Sequence, residues 1–163
     1  PNGDPATDGQ LNYANRWRRA ARFEVHNSIL MGYPKAGLSL ESAATADAYN
    51  TDASIFKNNL VHALADAYKV DATAGGVITA AQLKTKAEAN GCITYTNAND
   101  IMLEAPFNFD APNFMPKANS PALTGAVFTG LDPFFTNVPY RGAFGTTNWL
   151  TGWASFTPQT NVY

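Results

Sequence analysis

Two histidines are the first residues of this chain that could do acid–base chemistry, because imidazole titrates near neutral pH. They are His26, immediately before Asn27, and His62, three positions after Asn59; the sequence has no others. The two histidines occupy different places relative to these asparagines, so stacking the two segments does not bring the imidazoles together. The spacing predicts structural histidines rather than a catalytic pair.

Paired carboxylates are the second chemical candidate, since two acids about 5–10 Å apart across a groove can hydrolyse a glycosidic bond. The candidate pairs are Asp47 with Asp52 and Glu24 with Glu41. All four lie in or beside predicted strands and turns, where acids are ordinary surface residues. We therefore predict no catalytic residue among them.

Cysteine and metal chemistry have little support. Cys92 is the only cysteine, which excludes an intrachain disulfide, and without a nearby histidine it is predicted to be a small buried residue rather than a nucleophile. Asp4 and Asp8 with Gly9 weakly resemble a calcium loop, but the alternating acidic ligands and the closing Glu are missing. We predict no cofactor, with calcium as the alternative.

A basic cluster flanks Trp17 and consists of Arg16, Arg18, Arg19 and Arg22. Together with Asp4 and Asp8, it is the one place where a lyase-like site could begin. Stacking on Trp17 and pairing with neighbouring acids explain the arginines without catalysis. The formal net charge of −2 gives no excess that would attract nucleic acid, and we predict no such partner.

Alternation of apolar and polar residues predicts strands over 23–32, 37–41 and 53–61. Residues 25–30 align with 56–61 at an offset of 31 residues, so that Asn27 falls on Asn58. Such a repeat is what a parallel β-helix produces, with the two asparagines stacked as a structural ladder. On the repeat alone, a β-sandwich explains the strands equally well.

One short helix is predicted at about 79–90, with Thr79 as its N-cap and Gly91 as its left-handed stop. A short strand should follow at 92–96. The chain is accordingly divided into a turn-rich arm (1–15), β-helix coils with the inserted helix (16–105) and a wrap rich in Pro, Gly and aromatic residues (106–163).

The wrap contains too many Pro and Gly residues for long regular elements but too many aromatic rings for a disordered tail. We expect it to pack on the sheets. Four of its aromatic residues could form a flat platform for sugar rings or cap the open end of the sheets. They are Tyr140, Trp149, Trp153 and Tyr163.

Two stretches of the wrap carry a family resemblance. Residues 113–123, Asn-Phe-Met-Pro-Lys-Ala-Asn-Ser-Pro-Ala-Leu, resemble the phrase that ends many right-handed parallel β-helix proteins. Residues 140–159 are similar to the end of large secreted proteins of Bacteroidetes-type bacteria that are cargo of type nine secretion and have no agreed activity. The resemblance implies a parallel β-helix, export and an extracellular or cell-surface location.

These observations predict a mainly β fold and a non-enzymatic structural or adhesion module of a larger β-helix protein or assembly. The alternative is the C-terminal portion of a secreted polysaccharide-degrading, lyase-like enzyme whose groove lies upstream. The chain begins with Pro1 rather than Met, and we expect an upstream region. We expect that region, or another polypeptide, to cover the N-terminal end of the coils, with polysaccharide as a further partner and no membrane insertion.

Overall fold

The structure is a computed structural model that describes residues 11–160. Asp4, Asp8 and Tyr163, which the sequence singled out, lie outside this range. The described chain is mainly sheet with two helices, which confirms the predicted mainly β class. Its ten strands are β1 (Tyr13–Trp17), β2 (Glu24–His26), β3 (Ile29–Tyr33), β4 (Ala36–Leu40), β5 (Ile55–Lys57), β6 (Leu60–Ala63), β7 (Asp66–Val70), β8 (Ile93–Tyr95), β9 (Leu103–Ala105) and β10 (Asn113–Pro116).

Three parallel sheets organise the first eight strands. Their strand orders are β1-β4-β7, β2-β5 and β3-β6-β8, so the chain returns to the same sheets in the same sequence. The predicted alignment of 25–30 on 56–61 is confirmed, because Val25 pairs with Phe56 and Leu30 with Val61. Each return therefore places equivalent residues side by side on neighbouring strands.

The predicted single strand over 23–32 is wrong, because Asn27 and Ser28 divide it into β2 and β3. Asn27 has a φ of 52°, and Asn58 has a φ of 56° between β5 and β6. Asparagine tolerates this left-handed conformation better than most residues. The predicted strand over 53–61 is divided at Asn58 in the same way.

The predicted helix at 79–90 is confirmed as α2 (Ala80–Ala89). The Thr79 hydroxyl accepts a hydrogen bond from the backbone N–H of Gln82, and the Gln82 carboxamide oxygen accepts one from the backbone N–H of Thr79, so the two residues form a capping box. The expectation of only one helix is wrong, since α1 (Ala43–Asn50) lies between β4 and β5. Its sequence, AATADAYN, has no apolar stripe, and the side chain of its N-cap, Ser42, makes no capping hydrogen bond to the helix backbone.

The two helices occupy equivalent positions, since α1 leads from β4 to β5 and α2 follows β7. Lys86 of α2 joins them. Its ammonium donates to the Asn50 carbonyl at 2.7 Å, lies 2.9 Å from an Asp52 carboxylate oxygen, and sits 5.2 Å from the centre of the Tyr49 ring.

The main core lies between the inner faces of the parallel sheets and the two helices. Its largest fully buried side chains include Trp17, Tyr49 and Phe56. Trp17 contacts both other rings edge-on, at centroid distances of 6.2 and 6.0 Å. These contacts connect β1 to α1, which contains Tyr49, and to β5, which contains Phe56.

A second core lies on the outer face of the β3-β6-β8 sheet, where Leu60 packs with Ile101, Leu103 and Ala122. The C-terminal wrap supplies Ala122 to this core, and its strand β10 pairs antiparallel with β9, which directly precedes the wrap. Beyond β10, the described chain is irregular apart from short 3₁₀ turns. No helix in residues 11–160 is long and apolar enough to cross a membrane.

Candidate functional site

Four rings of the wrap form a continuous aromatic stack: Phe114, Phe144, Trp149 and Trp153. Neighbouring ring centroids lie 6.3, 5.3 and 5.7 Å apart along this order, and each pair is within 19° of parallel. Phe144 is buried, whereas Trp149 is 50% and Trp153 69% exposed. The aromatic stack therefore runs from the interior of the wrap to its surface.

Backbone carbonyls hold the two tryptophans of the stack in place. The Trp149 indole N–H donates to the Ala143 carbonyl at 2.8 Å, and the Trp153 indole N–H donates to the Trp149 carbonyl. A helical turn, closed by the Ala154 N–H on the Leu150 carbonyl, sets the spacing of the two rings. The polar atom of each indole is thus satisfied, which leaves the rings for packing.

The predicted platform residues are brought together only in part. Trp149 and Trp153 lie face to face, so each covers a ring face of the other, and Trp153 at the end of the stack is the more exposed. The Tyr140 ring lies against Gly145, where an added Cβ would overlap it. Among the described residues, stacking on a sugar would use Trp153 rather than a row of coplanar rings.

An apolar groove of about 490 Å³ lies next to the stack, between β3 and the wrap. Ile29, Met31 and Tyr33 of β3 form one wall, and Phe107 and Phe144 are among the wrap residues opposite. In the described part of the chain, no charged side chain lines it. Local sequence does not indicate the groove, because β3 and the wrap residues that line it are more than 70 residues apart in the chain.

Asn27 and Asn58 occupy equivalent left-handed corners, but their side chains have different neighbours. The Asn27 carboxamide donates to the Val127 carbonyl and accepts from the Val127 N–H, both at 3.0 Å. The Asn58 carboxamide lies over Gly91, where a Cβ would overlap it. Gly91 has a φ of 78° and continues the series of left-handed corners.

Asn59 is a structural residue that the sequence analysis missed. It is fully buried, its carboxamide oxygen accepts from the Ser28 N–H at 2.8 Å, and its nitrogen donates to the Val25 carbonyl at 3.0 Å. It therefore satisfies backbone groups at the corner between the neighbouring strands β2 and β3. The sequence feature that could have indicated this role is the position of Asn59 directly after Asn58, the predicted ladder residue.

Arg141 was also missed, although it is the only charged residue in 133–163. It is 7% exposed, its backbone N–H donates to the Ala122 carbonyl at 2.7 Å, and its Nε donates to the Gly125 carbonyl at 3.1 Å. Burial lowers the pKa of its guanidinium, while Tyr95 and Cys92 oppose that shift. Arg141 thus links its own segment of the wrap to the segment that contains Ala122 and Gly125.

The histidines lie in separate sheets and have structural contacts. His62 is 3% exposed, and its Nδ1 accepts from the Gly32 N–H at 3.2 Å. His26 has its Nε2 3.6 Å from a Glu24 carboxylate oxygen. Burial lowers the pKa of both imidazoles, with Glu24 opposing the shift at His26.

Several of the predicted acid and base candidates have structural partners. Arg16 donates from Nε to Glu41 at 2.7 Å, and its guanidinium lies 5.2 Å from the centre of the Tyr13 ring. The arginines were expected to stack on Trp17. The Trp17 ring is instead stacked on Phe23. Within residues 11–160, no group of three or more His, Cys, Asp or Glu residues could hold a metal ion.

Cys92 is buried, as the sequence analysis predicted. Its Sγ accepts from the Asn59 N–H at 3.4 Å and donates to the Phe56 carbonyl at 3.7 Å. Burial raises the pKa of the thiol, which keeps it in the protonated, unreactive form.

A second candidate surface is the first-strand edge, which we define as β1, β2 and β3. In the described part of the chain, each of these strands pairs with another strand on one side only. Phe23 lies beside this edge, stacked on Trp17 at a centroid distance of 5.3 Å and 41% exposed. At the opposite end, α2 packs on β7, and residues 98–101 pack on β8.

No family model, curated protein or solved structure matches the chain.

Proposed function

We propose that this chain is a non-enzymatic structural module of an extracellular or cell-surface protein, built as coils of a right-handed parallel β-helix. The ordered return to three parallel sheets supports the β-helix over a sandwich, whose sheets are antiparallel. Crossover connections between parallel strands are right-handed in about 98% of cases, which supports the handedness. The family resemblance and the low charged fraction of 15% support the extracellular address.

The observation that carries the proposal is the first-strand edge. Within residues 11–160, each of its three strands has one unpaired side, which offers backbone N–H and C=O groups to another chain, while at the corner between β2 and β3 the Asn27 carbonyl accepts from the Gly142 N–H. Addition of strands to such an edge is a common mode of protein recognition. The partner is a further β-helix coil, contributed by an upstream part of the same protein or by another polypeptide.

Phe23 supports the same conclusion. One face of its ring packs on Trp17, and the exposed remainder lies beside the first-strand edge. A coil docked at this edge would bury that remainder, as Trp17 is buried among Tyr49 and Phe56.

The proposal is tested by sedimentation velocity over a range of concentrations. When no other coil is supplied, two copies should associate through the first-strand edge, so the isolated chain should exceed its monomer mass of 17.5 kDa. Phe23→Asp should shift the distribution toward monomer, because the charge would be desolvated in the contact.

The matched control is Phe134→Asp. Phe134 is 86% exposed and far from Phe23 in sequence, so its substitution should leave association unchanged. Circular dichroism checks that both variants fold. A monodisperse wild-type monomer at every concentration would contradict the proposal, as would equal effects of the two substitutions.

The adhesion part of the proposal concerns polysaccharide and is supported by the exposed end of the aromatic stack. Trp153 presents an indole face with a polar edge, which suits stacking on a sugar ring. Retention on insoluble polysaccharide that is lost in Trp153→Ala and kept in Phe134→Ala would support this role. Equal retention of both variants would contradict it.

A further inference from the structure

The apolar groove continues into a smaller cavity. That cavity has a volume of about 150 Å³ and shares Pro112, Phe114, Phe144 and Phe156 with the groove. It adds Asn148, whose carboxamide oxygen accepts from the Leu150 N–H at 3.1 Å and whose carboxamide N–H groups can donate, and Thr151, which brings a hydroxyl. The two cavities therefore form one surface with a long apolar part and a short polar part.

The larger part has the properties of a small-molecule site. Its volume of about 490 Å³ lies within the range of roughly 300–1,000 Å³ that is usual for ligand pockets, and such pockets are mainly apolar with a few placed polar groups. The walls come from β3, which belongs to a three-stranded sheet, and from wrap segments that the aromatic stack and Arg141 hold together.

The lining selects the charge of the ligand. Among residues 11–160, no Lys, Arg, Asp or Glu lines either cavity. A charged group entering them would lose hydration without gaining a countercharge, which is costly. An uncharged hydroxylated group beside Asn148 and Thr151 would instead exchange hydrogen bonds with water for hydrogen bonds with the protein.

We propose that the two cavities together bind an uncharged amphipathic ligand, with its aliphatic or ring-shaped apolar body in the groove and its hydroxylated end at Asn148 and Thr151. This site is separate from the first-strand edge and does not depend on association of the chain. Trp149 reports on it, because its ring stacks on Phe144, which lines both cavities.

The test is a tryptophan-fluorescence titration with n-octyl glucoside below its critical micelle concentration. Octyl sulfate and octyltrimethylammonium serve as probes with the same alkyl chain and a charged head group. Glucose serves as the head group without the chain. Octyl glucoside should bind saturably, the two charged probes at least about tenfold more weakly, and glucose without saturation.

Ala143→Phe fills the groove from an exposed position, and its backbone carbonyl can still accept from Trp149. We expect this variant to weaken binding of octyl glucoside at least about tenfold. Ala118→Phe adds the same ring at an exposed position outside both cavities and should leave binding unchanged.

Three results would overturn the inference: no saturable binding of octyl glucoside, equal binding of the charged probes, or equal behaviour of the two phenylalanine variants. Sedimentation of the same samples distinguishes failure of this inference from failure of the proposed function. If only the inference fails, association through the first-strand edge persists. Loss of association with binding retained would overturn the proposed function alone.

Discussion

At the level of single residues, the corners between strands depend on the backbone conformation that each residue can adopt. Asn27, Asn58 and Gly91 all have positive φ and follow one another at equivalent positions. A residue with a Cβ and no compensating polar group costs roughly 1–2 kcal/mol in this region. The composition of the corner is therefore explained without a binding role.

Replacement of Asn58 tests this explanation. Asn58→Ala should lower the free energy of unfolding by about 1–2 kcal/mol, because alanine is strained at a φ of 56°. Asn58→Gly removes the same carboxamide and relieves the strain, so it should stay within about 0.5 kcal/mol of wild type. Urea unfolding measures both. An equal loss in the two variants would show that the side chain, and not the backbone conformation, stabilises the corner.

The buried imidazole of His62 makes stability depend on pH. Its Nδ1 accepts from Gly32, so the imidazole must be neutral, and burial lowers its pKa in the folded state. The unfolded chain then binds more protons between the lowered pKa and the ordinary value of about 6.5. Stability that is present above pH 6.5 should therefore be lost as the pH falls through this window.

The prediction is measured by urea unfolding at pH 7.5 and 5.5. His62→Asn keeps an acceptor near Nδ1 but cannot titrate, so its stability should fall less than that of wild type over this interval. His26→Asn is the comparison variant: burial lowers the pKa of His26 as well, so this substitution removes the His26 contribution and leaves that of His62 in place. If His62→Asn loses as much stability as wild type between pH 7.5 and 5.5, the pH dependence belongs to other groups.

At the level of elements, local sequence predicted some features well and others poorly. The helix α2 was predictable because Thr79 and Gly91 mark its ends. The helix α1 was not, because small residues give it no apolar stripe and its burial comes from packing on the sheets. The strand pairs were readable from the repeat, but the corners at Asn27 and Asn58 were not, since a left-handed residue leaves the alternation of apolar residues intact.

The capping box gives an element-level prediction. Thr79→Ala removes the acceptor for the Gln82 N–H and should cost about 1 kcal/mol of stability. Thr85→Ala, at an exposed position within the same helix, should be neutral or slightly stabilising because alanine has the higher helix propensity. Thermal or urea unfolding compares the two, and a larger loss in Thr85→Ala would refute the capping role.

At the level of the whole molecule, the sequence predicted the register of the paired strands but neither the groove nor the aromatic stack. The register follows from short repeated strings, which local alternation reveals. The groove requires β3 to meet the wrap, and the aromatic stack requires Phe114 to meet Phe144 and Trp149; both depend on long-range packing. Asn59 and Arg141 likewise take their roles from partners that are distant in the chain.

The central claim is that the first-strand edge is where another coil docks. Backbone hydrogen exchange at increasing protein concentration tests it most directly, because strand addition protects amides that were previously open to water. We predict that protection increases with concentration in residues 13–17, 24–26 and 29–33, while the interior strands β4 and β6 are protected throughout. Protection that never changes with concentration, or that appears only in residues 128–135 or 149–156, would contradict the account.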